Sequence, residues 1–225
     1  MAYTTINKST DYFNTKLYTG NGSTNAITGV NFQPDWTWLK RRDTADSHAL
    51  YDAVRGVTKR LESNGTGAEG TKSAGLTTFG TDGFTLGNDT QANTSGGTYA
   101  SWNWKANGAG SANTDGSINS TVSANTTSGF SIVSFTGTGS NATVGHGLGV
   151  APKFIIVKCL SHASEWIVYY GDATDYLKFN EDNATADDST RWNDTAPTNS
   201  VFSLGTQGDI NTSGRTYIAY CFAEK

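Results

Sequence analysis

Charge is scarce in this chain of 225 residues: Lys, Arg, Asp and Glu make up 16% of it, against about 25% in ordinary soluble domains. The 16 basic and 20 acidic residues are scattered and leave a net charge of −4. Such a chain has no field with which to gather a polyanion or an anionic membrane, so nucleic acid is excluded as an expected partner. The one basic cluster, Lys40, Arg41 and Arg42, reads as a solvated guard at a strand end. No stretch approaches the roughly 20 apolar residues of a membrane-spanning helix. The N-terminal MAYTTINKSTDYFN lacks the charged start and apolar run of a signal peptide. Synthesis in a cytosol without secretion or membrane insertion is the expectation.

Cysteine is almost as scarce. Cys159 and Cys221 are the only two, too few for a disulfide framework, and a reducing cytosol keeps them as thiols. Asn-x-Ser/Thr triplets begin at Asn64, Asn93 and Asn211, but they carry no weight without secretion.

Catalytic residue types are thin on the ground. His48, His146 and His162 are the only histidines; they share no metal-ligand spacing, and His146 sits in the turn-like Gly145-His146-Gly147-Leu148-Gly149. No Glu-x-Glu or Asp-x-Asp pair falls in an expected strand to present two carboxylates across a scissile bond. Glu62 and Glu69 lie in loop-like sequence, Glu165 starts a strand and Glu224 is at the terminus. The chain is therefore read as non-enzymatic, with no metal and no cofactor.

What is plentiful is glycine, at 26 residues, and aromatic surface, at 12% with six Trp. That is enough large apolar area to build a core and to argue against disorder. Compared with itself, the chain repeats at a spacing of 118 residues: Asn93-Thr94-Ser95-Gly96 with Thr98 and Tyr99 recurs as Asn211-Thr212-Ser213-Gly214 with Thr216 and Tyr217. Phe84, Leu86 and Gly87 recur as Phe202, Leu204 and Gly205, and Pro34, Lys40 and Tyr51 as Pro152, Lys158 and Tyr169. Upstream, Thr19, Gly20 and Gly22 match Thr136, Gly137 and Gly139 at a spacing of 117. The period is too long for a solenoid or propeller, so two copies of one module are expected, each with its own core or sharing one. The boundaries follow: an N-terminal arm over residues 1–14, modules over 15–107 and 128–225, and a Gly/Ser/Asn/Thr-rich linker over 108–127 that holds at most one short strand.

Apolar residues run at period two or in short blocks between Gly, Asn, Asp and Ser, which is the strand signature. Strands are expected at 15–18, 36–40, 48–52, 84–86 and 99–105, and again at 132–135, 154–158, 166–170, 202–204 and 217–222. The weak helical spacing over 52–62 is read as strand or loop. The fold class is thus all-β, with two tandem antiparallel β-sandwich or jelly-roll modules.

Candidate sites are few. The polar segments 88–93 and 206–211 offer oxygen ligands that calcium would need, but they read better as turns feeding the last strand. Trp36/Trp38 and Trp102/Trp104 would make stacking platforms; because the second copy holds Phe154/Ile156 and Tyr220/Phe222 there, they are read as core. Trp192 instead sits in the loop-like Arg191-Trp192-Asn193-Asp194, opposite Ala74 of the first copy. Those four residues form the leading ligand-binding candidate.

The runs Tyr18-Thr-Gly-Asn-Gly22, Phe32-Gln-Pro-Asp-Trp-Thr-Trp-Leu-Lys40, Tyr51-Asp-Ala-Val-Arg-Gly-Val-Thr-Lys59 and Asp82-Gly-Phe-Thr-Leu-Gly87 resemble an uncharacterised module that recurs in virion and tail-fibre proteins of marine bacteriophages. The second copy carries the related Gly145–Lys153, Trp192–Pro197 and Tyr217–Phe222. The resemblance implies a concanavalin-A-like, lectin-like sandwich without catalytic residues. It also implies a virion surface protein, in a tail fibre or head fibre, anchored by its N-terminal arm among other virion proteins. Such a protein would act as a homo-oligomer adhering to a host surface glycan by weak multivalent contacts. The alternative it leaves is a structural capsid or tail decoration protein bound to neighbouring virion subunits.

Overall fold

The computed structural model describes residue 4 and residues 6–225. Of the arm expected over residues 1–14, residues 1–3 and 5 lie outside the described residues; Ser9–Asp11 forms a 3-10 turn and the first strand already begins at Phe13. The protein is all-β: antiparallel strands carry both copies, and its helices are single turns. Contacts divide it into two units, one of the residues up to Asn64 with Glu69–Ala109, the other of Gly65–Ala68 with Gly110–Lys225.

In unit 1 the strands are β1 (Phe13–Thr19), β2 (Asn25–Thr28), β3 (Trp36–Arg41), β4 (Ala49–Asp52), β5 (Lys59–Arg60), β6 (Gly70–Thr71), β7 (Leu76–Gly80) and β8 (Gly83–Leu86). A single helical turn, α1 (Thr90–Asn93), leads to β9 (Thr98–Trp104). Four strands form a sheet in the order β1-β9-β3-β4, and three form a second, β2-β8-β7. Ile27, Leu39, Tyr51, Leu76, Phe84 and Leu86 build the core from both sheets. The stretch 52–62 holds no helix: it turns over residues 53–58, where Gly56 and Thr58 adopt positive φ, and runs into β5, while the buried Arg55 is clamped by Asp52 and donates to the carbonyls of Leu50 and Lys59.

Unit 2 repeats this plan with additions. Its elements are β10 (Ser111–Asn113), β11 (Ser120–Asn125), β12 (Phe130–Thr136), β13 (Ala142–Gly145), β14 (Pro152–Cys159), β15 (Trp166–Tyr169), β16 (Asp175–Lys178) and β17 (Ala186–Asp187). They are followed by α2 (Ser189–Trp192), β18 (Val201–Leu204), α3 (Gly208–Asn211) and β19 (Thr216–Ala223). One sheet runs β10-β11-β12-β19-β14-β15-β16-β17, and β13 pairs with β18. The segment expected to be a linker is in fact two strands of unit 2. Its Ser and Thr alternate with Val122, which is buried in the unit 2 core, so a sequence that looks polar throughout still has one apolar face. Cys159 and Cys221 are free and buried; they sit on neighbouring strands but opposite Tyr217 and Ile155, not each other. Burial pushes the Cys221 thiol up to about 12, which makes it unreactive.

The repeated motif explains itself in these two units. Asn93 is fully buried at the end of α1; its amide donates to Ser23 O at 2.6 Å and Gly87 O at 2.7 Å and accepts from Asn21 N at 2.9 Å. Asn211, at the end of α3, donates to Ser140 O and Gly205 O at 2.7 Å each and accepts from Thr138 N at 2.8 Å. Tyr99 Oη accepts from Thr94 N at 2.9 Å, as Tyr217 Oη does from Thr212 N at 2.8 Å. The glycines between are needed for close approach: a Cβ on Gly20 would lie 2.2 Å from Thr94 O, and one on Gly137 2.5 Å from Thr212 O.

Replacing Asn93 or Asn211 with alanine leaves several buried backbone groups without partners, at about 1–3 kcal/mol each. Urea unfolding should show a loss of about 3 kcal/mol or more for either variant, whereas a loss below about 0.5 kcal/mol, the range of a surface substitution, would deny the latch its structural role.

Candidate functional site

Strand β3 lies between β4 and β9, with Trp36 opposite Trp104 and Trp38 opposite Trp102. Period two therefore places all four indoles on one face of the unit 1 sheet. Trp36 is 1% exposed, while Trp38, Trp102 and Trp104 are half-buried. With His48 these three line an apolar concavity of about 280 Å³. Ring centroids lie 6.4 Å apart for Trp38 and Trp102 and 4.4 Å apart for Trp36 and Trp104. The face thus offers several indole planes at different tilts.

The histidine is held from three sides. Trp38 Nε1 donates to His48 Nδ1 at 2.6 Å, and the two rings meet edge to face at 73°. The His48 amide donates to Asn64 Oδ1, and Gln91 Nε2 donates to the carbonyls of both Ser47 and His48. The indole donor fixes the tautomer, because Nδ1 must carry a lone pair. Burial, and then the Lys40 charge, hold the imidazole below its ordinary value, so it is neutral at neutral pH.

Across the 45–48 loop lies a second, polar cleft of about 410 Å³ lined by Arg41, Ala45, Asp46, Ser47, Thr90, Gln91 and Thr94. Arg41 pairs there with Asp43 at 2.7 Å and Asp46 at 3.2 Å. The cleft is consequently hydroxyl- and amide-rich with its charges compensated. Lys40 and Arg41 are not the solvated guard expected of them: Lys40 Nζ donates to the carbonyls of Arg41 and Asp46 and staples the same loop. Its counterpart Lys158 does likewise in unit 2, donating to Thr66 O at 3.0 Å and Ser164 O at 2.7 Å. Complete burial pulls that ammonium down to about 8.

The residues singled out around Trp192 do not form an exposed platform. Trp192 is 2% exposed and packs edge to face on Tyr169, centroids 5.7 Å apart. Arg191 is also buried; it bonds Asp209 at 2.5 Å and its guanidinium lies 4.1 Å over the Tyr176 ring. Only Asn193 and Asp194 reach the surface, both at positive φ. The physical reason is the single helical turn α2, which ends at Trp192 and directs the indole into the core while its polar neighbours turn out. Conversely, the Trp36/Trp38 and Trp102/Trp104 pairs were read as core, and only Trp36 is fully so. In unit 2 the matching Ile156 and Tyr220 are 3% and 0% exposed, so the indole concavity belongs to unit 1. The signal that would have found it is the tryptophan enrichment of one copy alone.

Among the described residues no group of three or more His, Cys, Asp or Glu could hold a metal ion. Among them, too, no helix is long and apolar enough to cross a membrane. His146, taken as a turn residue, is buried with its ring between Leu148 N and Thr198 O, each at 3.2 Å.

Because the fold favours neutral His48, its bond to Trp38 is fully present above about pH 6.5, the unfolded value, and is lost as pH falls through the lower folded value. The indole N–H resonance of Trp38, followed by NMR, should therefore titrate with a midpoint below about 6.5. A midpoint at or above that value would contradict the buried, neutral imidazole.

No curated protein and no solved structure matches this chain. A family match runs over residues 8–225 and so takes in both copies together. The chain belongs to the family described as Domain of unknown function (DUF7483).

Proposed function

We propose that this chain is a bacteriophage virion surface protein, of a tail fibre or head fibre, that holds a host-surface glycan by stacking in the concavity of Trp38, Trp102 and Trp104. The concavity is the observation that carries the ligand class. A sugar ring has an apolar C–H face and a rim of hydroxyls; the indoles match the first, and the polar cleft beside the same 45–48 loop matches the second. The place on a virion is supported by the resemblance of Tyr18–Gly22, Phe32–Lys40 and Asp82–Gly87 to marine-phage modules. One shallow site of this kind binds weakly, and useful avidity would come from many copies on one particle.

Tryptophan is also the side chain most enriched at protein–protein hot spots. The same concavity would then serve a capsid or tail decoration protein by receiving a neighbouring virion subunit.

The chain, displayed densely on beads, should bind a subset of bacterial surface glycans on an array. Trp102→Ala should weaken that binding at least about tenfold, equivalent to about 1.4 kcal/mol, with the circular dichroism unchanged. Silence across the array, together with saturable binding to capsids or tails that lack the protein, would move the chain to the decoration reading.

A further inference from the structure

Among the described residues, strand β1 is the last strand on its side of the unit 1 sheet, hydrogen-bonded to β9 alone. Its equivalent in unit 2, β12, pairs with the last strand of its own unit in the same way but is covered on the other side by β11, over Phe130 to Phe135. One module therefore appears twice, once with this edge occupied by an antiparallel strand and once with it open.

The open edge has a definite pattern of donors and acceptors. Lys105 N donates to Tyr12 O and Gly20 N to Gly97 O, each at 2.8 Å. Antiparallel alternation then commits the even-numbered residues between them to β9 and turns the N–H and C=O of Phe13, Thr15, Leu17 and Thr19 outward. Two of these groups are answered locally: Thr15 N donates to Asn14 Oδ1 at 2.9 Å, and Thr19 O accepts from Asn25 Nδ2 at 3.2 Å. That leaves Phe13 N and O at the start of the strand and, further along, a window of four groups, Thr15 O, Leu17 N, Leu17 O and Thr19 N, symmetric about Leu17.

The side chains agree with the backbone. Leu17 is 66% exposed, more than Val57, Val150 or Phe179, the other exposed large apolar residues. Its counterpart under the covering strand is the polar Ser134, which faces Thr121. Thr15 and Thr19, on the same face as Leu17, are exposed as well.

We infer that β1 is a self-association edge, at which a second copy of this chain adds its own β1 antiparallel about a two-fold axis through Leu17. That register pairs the four groups of the window reciprocally: Leu17 N with Leu17 O twice, and Thr19 N with Thr15 O twice. It sets Leu17 against Leu17, which buries the exposed apolar side chain, and Lys16 against Tyr18. Shifting the axis to Lys16 would set Lys16 directly against Lys16, and like charges opposite each other destabilise a strand pair. A two-fold edge pair is self-complementary and closes at two copies. It would continue each four-stranded sheet into the other and place two tryptophan faces side by side. The inference stands on the edge alone and does not require that the concavity bind sugar.

Sedimentation equilibrium over a wide concentration range tests it. The mass should climb from the monomer's 23.9 kDa toward twice that value, and Leu17→Lys should remain monomeric with unchanged circular dichroism, as befits an exposed position. Cysteine variants read the register. Leu17→Cys brings two thiols together at a Cα separation of about 5.5 Å, within disulfide range, and should cross-link under mild oxidation. Thr15→Cys mixed with Thr19→Cys should do so too, and Lys16→Cys should lag well behind. The buried Cys159 and Cys221 take no part. A chain that is monomeric at every concentration, or dimers that Leu17→Lys leaves intact, would overturn the proposal; faster cross-linking through Lys16→Cys than through Leu17→Cys would overturn the register.

Discussion

A buried side-chain amide at the end of a one-turn helix organises each unit of this protein. Asn93 bonds to the loop after β1 and to the end of β8, so that one side chain joins segments more than 60 residues apart in the chain. Asn211 does the same between the loop after β12 and the end of β18. An amide suits this post because it donates and accepts at once without a charge to desolvate. Tyr99 and Tyr217 then answer the amides of Thr94 and Thr212, and the last strand enters the sheet in register. The wealth of Asn, Thr, Ser and Gly in the chain suits a fold in which neutral side chains hold these latch loops.

Given a shared latch, the differences between the copies carry the functional argument. The repeated residues, from Gly20 and Gly137 to Asn93 and Asn211, are spent on the fold. The concavity and the open edge use residues that the second copy replaces: Trp38 by Ile156, Trp102 by Tyr220, His48 by a residue of another kind, and Leu17 by Ser134. Unit 2 also covers the edge that unit 1 leaves open, with strands drawn from the segment between the copies. Duplication has therefore preserved one scaffold while the exposed surfaces of the two units diverged.

All ten strands expected from period-two patterning are present, seven of them longer by one to three residues than the apolar block that announced them. Their extra residues are polar ends such as Thr19, Arg41 and Thr216, which continue the backbone ladder without continuing the hydrophobic pattern. Missed strands such as β2, β7, β10 and β13 are short and rich in Thr, Ser, Asn and Ala. They pair because a neighbouring strand offers hydrogen bonds, a cause that local sequence does not contain.

The site was less legible for the same kind of reason. Trp192 looked exposed because its neighbours Arg191, Asn193 and Asp194 are polar, yet one helical turn suffices to send it inward. Trp38 and Trp102 looked buried because apolar residues replace them in the second copy, yet apolarity fixes only which face of a strand they share. By itself the sequence determined the all-β class, the duplication, the principal strands and the repeated residues of the latch, because period-two alternation and repeated glycines are local consequences of backbone geometry. Which indoles line a concavity, which polar segment becomes a covering strand and which edge stays open were decided only by tertiary structure, because burial of a face or an edge depends on what the rest of the chain lays against it.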